Sequence, residues 1–270
     1  MKYFMHNQLD ISEKLEKKIR RYFDNTKLIF SEIVLENKKY KVSVDIDSFL
    51  LPTNFDCFNC LTNCCVQFPY EFNSKARELI LENIKEYNNL TQAVSILIEE
   101  GLTQQEIMDS IKTDPMLIPE KYVEKTFNRC TCSAVYIDRS LCALHKICID
   151  RDLSTEEILD IKPLWCSIYP LEIIAENDDS QLYIFVPTEK NNFMSMNDSN
   201  FPCMNVKMST SPYFRRDNPI GFKKEEYQPF ITSYLSVLKH IFGDQFVTDI
   251  LKNLNLLDSK ITEIQYTKKI

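Results

Sequence analysis

The chain has 270 residues, with 32 Lys and Arg against 39 Asp and Glu, a formal net charge of −7, 44% hydrophobic and 26% charged residues, three Gly and ten Cys. That composition describes a globular chain long enough for one large core or two smaller ones, and it sets disorder aside for most of the length. The negative charge, with no long basic block, excludes a nucleic-acid surface held by phosphate contacts, and the isolated Gly101, Gly221 and Gly243 leave no material for a glycine-rich phosphate loop.

From the N-terminus, Met1-Lys2-Tyr3-Phe4-Met5-His6-Asn7-Gln8 turns polar before an apolar leader can form, and no run approaches the roughly 18 apolar residues of a membrane span. Cytoplasmic residence without a membrane partner is the expectation. Residues 10–24, DISEKLEKKIRRYFD, space Ile11, Leu15, Ile19 and Tyr22/Phe23 as one apolar helix face, with Asp10 or Ser12 near its cap. LIFSEIVL and YKVSVDI follow as two β-branched runs joined at Glu36-Asn37-Lys38-Lys39, which predicts a hairpin ending near Asp47. The stretch between Pro52 and Pro69 holds four cysteines and reads as an irregular knuckle.

Residues 74–113 carry helical patterns punctuated by Gly101 and stopped by Pro115 and Pro119. Beyond them lie a short strand (SAVYID), a turn at Arg139-Ser140, a short helix (CALHKICID) and a helix opening on the capping box Ser154-Thr155-Glu156-Glu157. PLEIIA and QLYIFV predict a second hairpin. The stretch from Thr188 to Gly221 reads as loop, and two helices near 224–257, separated by Gly243, close the pattern. No internal repeat is present. The simplest parse is a single α+β domain over 1–270, with helices and short β-hairpins around a cysteine-rich core at about 55–172 and a helical C-terminal part at about 222–257.

A reducing compartment disfavours structural disulfides, so ten cysteines point to metal binding or redox chemistry. Cys57, Cys60, Cys64 and Cys65 form a C-x2-C-x3-C-C knuckle, and a two-residue spacer lets both sulfurs of the first pair face one metal. Cys130 and Cys132, Cys142, Cys148 and Cys166 form a second group, with His145 one helical turn after Cys142. His145 is a ligand, a partner of one, or a helix-face histidine bonded to a carbonyl. Cys148 and Cys203 read as small buried apolar residues. Trp165 and Tyr169 flank Cys166 as a shield against solvent, and Pro163 and Pro170 bound the loop that carries it. Arg215-Arg216 reads as a solvated pair, His6 and His240 as ordinary surface or helix positions, and the Glu99-Glu100, Glu156-Glu157 and Glu225-Glu226 pairs as exposed helix faces. Neither zinc-ribbon nor bacterial ferredoxin spacing fits. A metal site would gather ligands across the 64 residues between Cys65 and Cys130 and so would close the fold.

The order of these motifs carries a resemblance. The knuckle, then Cys130, Cys142-Ala143-Leu144-His145 and Lys162-Pro163-Leu164-Trp165-Cys166-Ser167-Ile168-Tyr169-Pro170 are similar to the bacterial cysteine-cluster proteins regarded as zinc- or iron-chelating (YkgJ-like), and most similar to a related group of unknown function. The resemblance covers about residues 55–172. It departs in the knuckle, which in the common form is C-x2-C-x2-C-C and here has one residue more. It implies zinc or an iron-sulfur cluster held by Cys57, Cys60, Cys64, Cys65, Cys130, Cys132, Cys142 and Cys166. It implies no particular reaction. The expected function is that of a cytosolic metal-binding protein with a metal ion or cluster as its partner. The alternatives are an iron-sulfur-dependent protein- or peptide-modifying enzyme, similar to flagellin lysine-N-methylases in the knuckle alone, and a thiol-redox protein cycling Cys64-Cys65.

Overall fold

The structure, a computed structural model, describes residues 1–4, 9–35, 37–56, 72–83, 142–193, 201–217 and 221–255, with shorter stretches between 86 and 109. In chain order the described elements begin with β1 (Lys2–Tyr3), α1 (Glu13–Asp24), β2 (Leu28–Leu35), β3 (Lys38–Asp45) and β4 (Pro52–Thr53). They continue with α2 (Ser74–Glu82), α3 (Ala143–Asp150), α4 (Thr155–Ile161), α5 (Leu164–Ile168), β5 (Glu172–Ala175) and β6 (Leu182–Phe185). Last come α6 (Val206–Ser209), α7 (Pro212–Asp217), β7 (Gln228–Pro229), α8 (Phe230–Ser233), α9 (Leu235–Phe242) and α10 (Asp244–Asn253). The architecture is mixed α+β. The chain divides into two compact units, one of Met1–Phe55, Ile168–Arg216 and Phe222–Ile264, the other of Asp56–Ser167, Asp217–Gly221 and Gln265–Ile270. No described helix is long and apolar enough to cross a membrane.

The first unit is built on a five-stranded sheet in the order β1-β5-β6-β3-β2. Its pairs are antiparallel except β3 with β6, which run parallel, with Val42 opposite Leu182 and Val44 opposite Ile184. Because directly paired residues share a face, Ile29, Ser31 and Ile33 line up with Val44, Val42 and Tyr40 on one side. Helix α10 packs against β2, and Ser31 Oγ donates to Asp249 Oδ2 at 2.6 Å. On the opposite side α1 lays Ile19 and Phe23 against Ile174 and Phe185. The Phe23 ring stacks on Tyr183 at 4.7 Å between centroids. That side is open towards the β2 edge, where Phe30 is 75% and Val34 58% exposed.

α1 forms because its apolar residues recur at helical spacing between charges, as the sequence predicts. Ser12 occupies the cap position without a side-chain cap bond. The first turn is held instead by Glu16, which accepts from the N-terminal amine at 2.9 Å and from Arg20. Arg20 also forks onto Glu176 at 2.9 and 2.8 Å, tying α1 to the β5–β6 turn. Both predicted hairpins are present: β2 with β3 and β5 with β6.

Two regions differ from the sequence expectation. The stretch after Thr188, predicted as loop, contains the short helices α6 and α7; Asn205 caps the first by accepting from the amides of Lys207 and Met208. The penultimate predicted helix is broken into a 3-10 turn (Lys224–Glu226), β7, α8 and α9, because Pro229 has no amide to donate to a continuous helix. β7 pairs with β4, and around them Phe49, Phe55, Phe230 and Tyr234 form an aromatic cluster with centroids 4.6–6.1 Å apart. Gly243 separates α9 from α10 at φ +89°, a value that favours glycine.

In the second unit, α2 buries Ala76 and Ile80, α3 buries Ala143, Leu144, Ile147, Cys148 and Ile149, and α4 buries Ile158, Leu159 and Ile161. α2 packs on α4. Asn73 caps α2 through the amide of Ala76 and also donates to the carbonyl of Asp160 at 2.8 Å, while Lys75 pairs with Asp160 at 2.7 Å. Arg151 donates to Asn83. The predicted capping box at Ser154 and Glu157 is complete in both directions, at 3.2 and 2.8 Å.

Candidate metal centre

Cys57, Cys60, Cys64, Cys65, Cys130 and Cys132 lie outside the described residues, as do the predicted SAVYID strand and most of the helical pattern before Thr113. Of the candidate ligands, Cys142 and Cys166 are described, both half-buried.

Cys142 is the N-cap of α3, with extended backbone at φ −83° and ψ 117°. Its carbonyl accepts from Lys146 N at 3.0 Å, so it opens the first turn of the helix that carries His145. The amino end of a helix carries a partial positive charge, a favourable location for an anionic sulfur. The far end of α3 closes through Asp152 at φ +54°: Leu153 N donates to Cys148 O at 3.1 Å and Asp152 N to Ile149 O at 2.9 Å. This pattern turns the chain directly into the Ser154 cap of α4.

Cys148 is fully buried in α3 among its aliphatic neighbours. Burial pushes its thiol up to about 12, the charge of Cys142 adds to that, and Lys162 opposes it. Lys162, the residue that ends α4, is 9% exposed. A buried lysine within electrostatic reach of Cys148 is the kind of local charge that favours thiolates. Sequence reasoning had not singled it out; its place within the Lys-Pro-x-x-Cys element was the available signal.

Cys166 lies in the five-residue helix α5, whereas the sequence predicted a loop between Pro163 and Pro170. Pro163 sits immediately before the first turn, where a missing amide costs no helical bond, so it starts a helix. Trp165 and Tyr169 are both half-buried, and Ser167 Oγ is buried without a hydrogen-bond partner among the described residues. Cys203, 9% exposed, belongs to the other unit, where its carbonyl accepts from Asn54 N at 2.9 Å. Arg215 is half-buried and donates to the carbonyl of Phe222 at 2.6 Å, so it is a structural donor and not the solvated residue expected. His240 is exposed on α9, and His6 lies outside the described residues.

Among the described residues, no group of three or more His, Cys, Asp or Glu side chains could by itself hold a metal ion. Cys142 and Cys166 would therefore need cysteines from outside the described residues. Comparison with known proteins gives no match to any family model, to any curated protein or to any solved structure.

Proposed function

We infer that the chain binds zinc or an iron-sulfur cluster through cysteine thiolates, with Cys57, Cys60, Cys64, Cys65, Cys130, Cys132, Cys142 and Cys166 as the ligand pool. The observation that carries this reading is that the two described members of that pool, Cys142 and Cys166, are both half-buried in the same compact unit. Three features of the described part suit such a centre: Cys142 at a helix amino end, a buried Lys162, and the orphaned hydroxyl of Ser167 beside Cys166, a donor available to a thiolate. Thiolates are soft donors and serve both metals. The order of the cysteine motifs, similar to that of the YkgJ-like proteins, supports the same reading and is its sequence basis.

When bound, zinc would act as a structural clamp, and an iron-sulfur cluster would add electron transfer. The chain's own residues hold the centre and screen it, Trp165 by its half-buried ring and Lys162 by offsetting the negative charge of the sulfurs. The test is purification without oxygen, a visible spectrum, and quantification of zinc, iron and acid-labile sulfide per chain. Iron with sulfide and a brown colour supports a cluster, and stoichiometric zinc without colour supports the clamp. A folded chain holding neither would overturn the reading.

A further inference from the structure

β2 is the last strand of its sheet, with β3 as its neighbour. The register settles which of its backbone groups are used. The hairpin closes with Leu35 opposite Lys38, and at the far end Ile46 N donates to Lys27 O at 3.4 Å. In an antiparallel pair, residues that exchange backbone bonds alternate with residues whose amides and carbonyls point away, so the odd-numbered residues of β2 bond to β3, and Leu28, Phe30, Glu32 and Val34 turn theirs to the open edge. No backbone bond is made on that outer side among the described residues. Proteins blunt such an edge with proline, a bulge, an inward charge or a covering segment. β2 contains no proline, and its register runs unbroken from Leu28 opposite Asp45 to Leu35 opposite Lys38. It presents instead Phe30, 75% exposed, and Val34, 58% exposed, on either side of Glu32.

An open edge is completed by another extended strand, and the residues of β2 are complementary to a second copy of β2. A two-fold axis through Ser31 sets the two strands antiparallel, as the isologous interface of a dimer requires. Leu28 then lies opposite Val34 of the second copy, Ile29 opposite Ile33 and Phe30 opposite Glu32, so residues 28–34 are all paired and no like charges meet. Charge selects this register. With Glu32 on the axis the two carboxylates would be directly opposed, which destabilises, and with Phe30 on the axis the paired stretch shrinks to 28–32. Glu32 enters already bridged to its own Lys39 at 2.6 Å, so its charge is offset beside Phe30 of the other copy. We propose that the chain forms a homodimer by antiparallel pairing of its β2 edges, joining two sheets into one. The pairing adds about eight backbone hydrogen bonds, two for each outward-facing pair. The interface belongs to the sheet unit and does not rest on the cysteine reading.

The experiment is sedimentation velocity of the full chain from micromolar to millimolar concentration, with amide hydrogen exchange read residue by residue at both ends of that range. A dimer is expected at the upper end. The amides of Phe30, Glu32 and Val34 should exchange slowly only there, whereas those of Ile29, Ser31 and Ile33, bonded to β3, should be slow at both. The exposed double variant Phe30→Lys/Val34→Lys charges the edge and should weaken the dimer at least about tenfold while the amides bonded to β3 keep their protection. A chain that stays monomeric, whether or not it takes up an extended segment of another protein, overturns the proposal. So does a dimer that leaves the exchange of Phe30, Glu32 and Val34 unchanged, or one that the double variant forms equally well. The exchange comparison is made on the unaltered chain, so it holds even where the double variant does not fold.

Discussion

The sheet of the first unit and the helices that carry Cys142 and Cys166 are stabilised by different means. β2 and β3 run eight residues each in full register, and α1 presses large aromatic rings onto the sheet. By contrast α2, α3, α4 and α5 span nine, eight, seven and five residues, lengths at which an isolated helix is not stable. Their buried residues include the small Ala76, Ala143 and Cys148, and the Lys75–Asp160 pair is an exposed ion pair of little worth. Long paired elements with an aromatic core account for themselves. Short helices would gain from a cross-link, which the proposed metal would supply.

The largest expected effect follows from that contrast. A structural zinc site contributes on the order of 10 kcal/mol, so chelation, or Cys142→Ser combined with Cys166→Ser, should strip hydrogen-exchange protection from α3 and α4 while β2 and β3 keep theirs. Equal loss in both regions would erase the distinction. Next comes Phe23→Ala, which removes the ring between α1 and β6 and should cost about 3–5 kcal/mol in urea denaturation; a cost below about 1 kcal/mol would mean that the aromatic packing does not hold the sheet unit together.

Acid should weaken the sheet unit as well. Hydrogen bonds from the N-terminal amine and then Arg20 hold Glu16 below the ordinary carboxylate value of 4.5, and a hydrogen bond from Arg20 does the same for Glu176. A depressed folded value means stability that is present above 4.5 and lost as pH falls through the lowered values. The sheet unit should therefore weaken below about that pH, and Glu176→Gln should flatten the dependence when unfolding is followed across pH 2–6. Smaller still, Ser154→Ala removes the cap of α4 and should cost about 1 kcal/mol. Of opposite sign, Asp152→Gly relieves a left-handed residue and should stabilise by about 0.5–1 kcal/mol, read from the denaturation midpoint.

Much of the described fold was legible because its signals are local. The α1 periodicity, the β-branched runs of both hairpins, the Ser154 box and the Gly243 break each need only a few neighbouring residues. The parallel pairing of β3 with β6 was not legible, because no nearby residue encodes a partner 140 positions away, as Leu182 is from Val42. The broken helix after Lys224 was hidden by apolar spacing that suits a helix and a strand-and-helix mixture alike, with Pro229 as the one available warning. At the candidate centre, the order of the motifs singled out Cys142 and Cys166; the frame of Cys166 was not legible, because Pro163, which reads as a loop boundary, begins a helical turn. The buried Asp45 side chain accepts from Tyr22 and from Asn191, 146 positions away, and that network becomes visible only in three dimensions.

The interruption of the first unit between Phe55 and Ile168 has a consequence for how the protein is made. On a ribosome adding about 5–20 residues per second, the β2–β3 hairpin emerges on the order of ten seconds before β6 is synthesised. Throughout that interval the β3 edge, with Val42 and Val44 fully buried in the finished molecule, has no strand to pair with. Codons translated slowly between the two hairpins would lengthen that exposure.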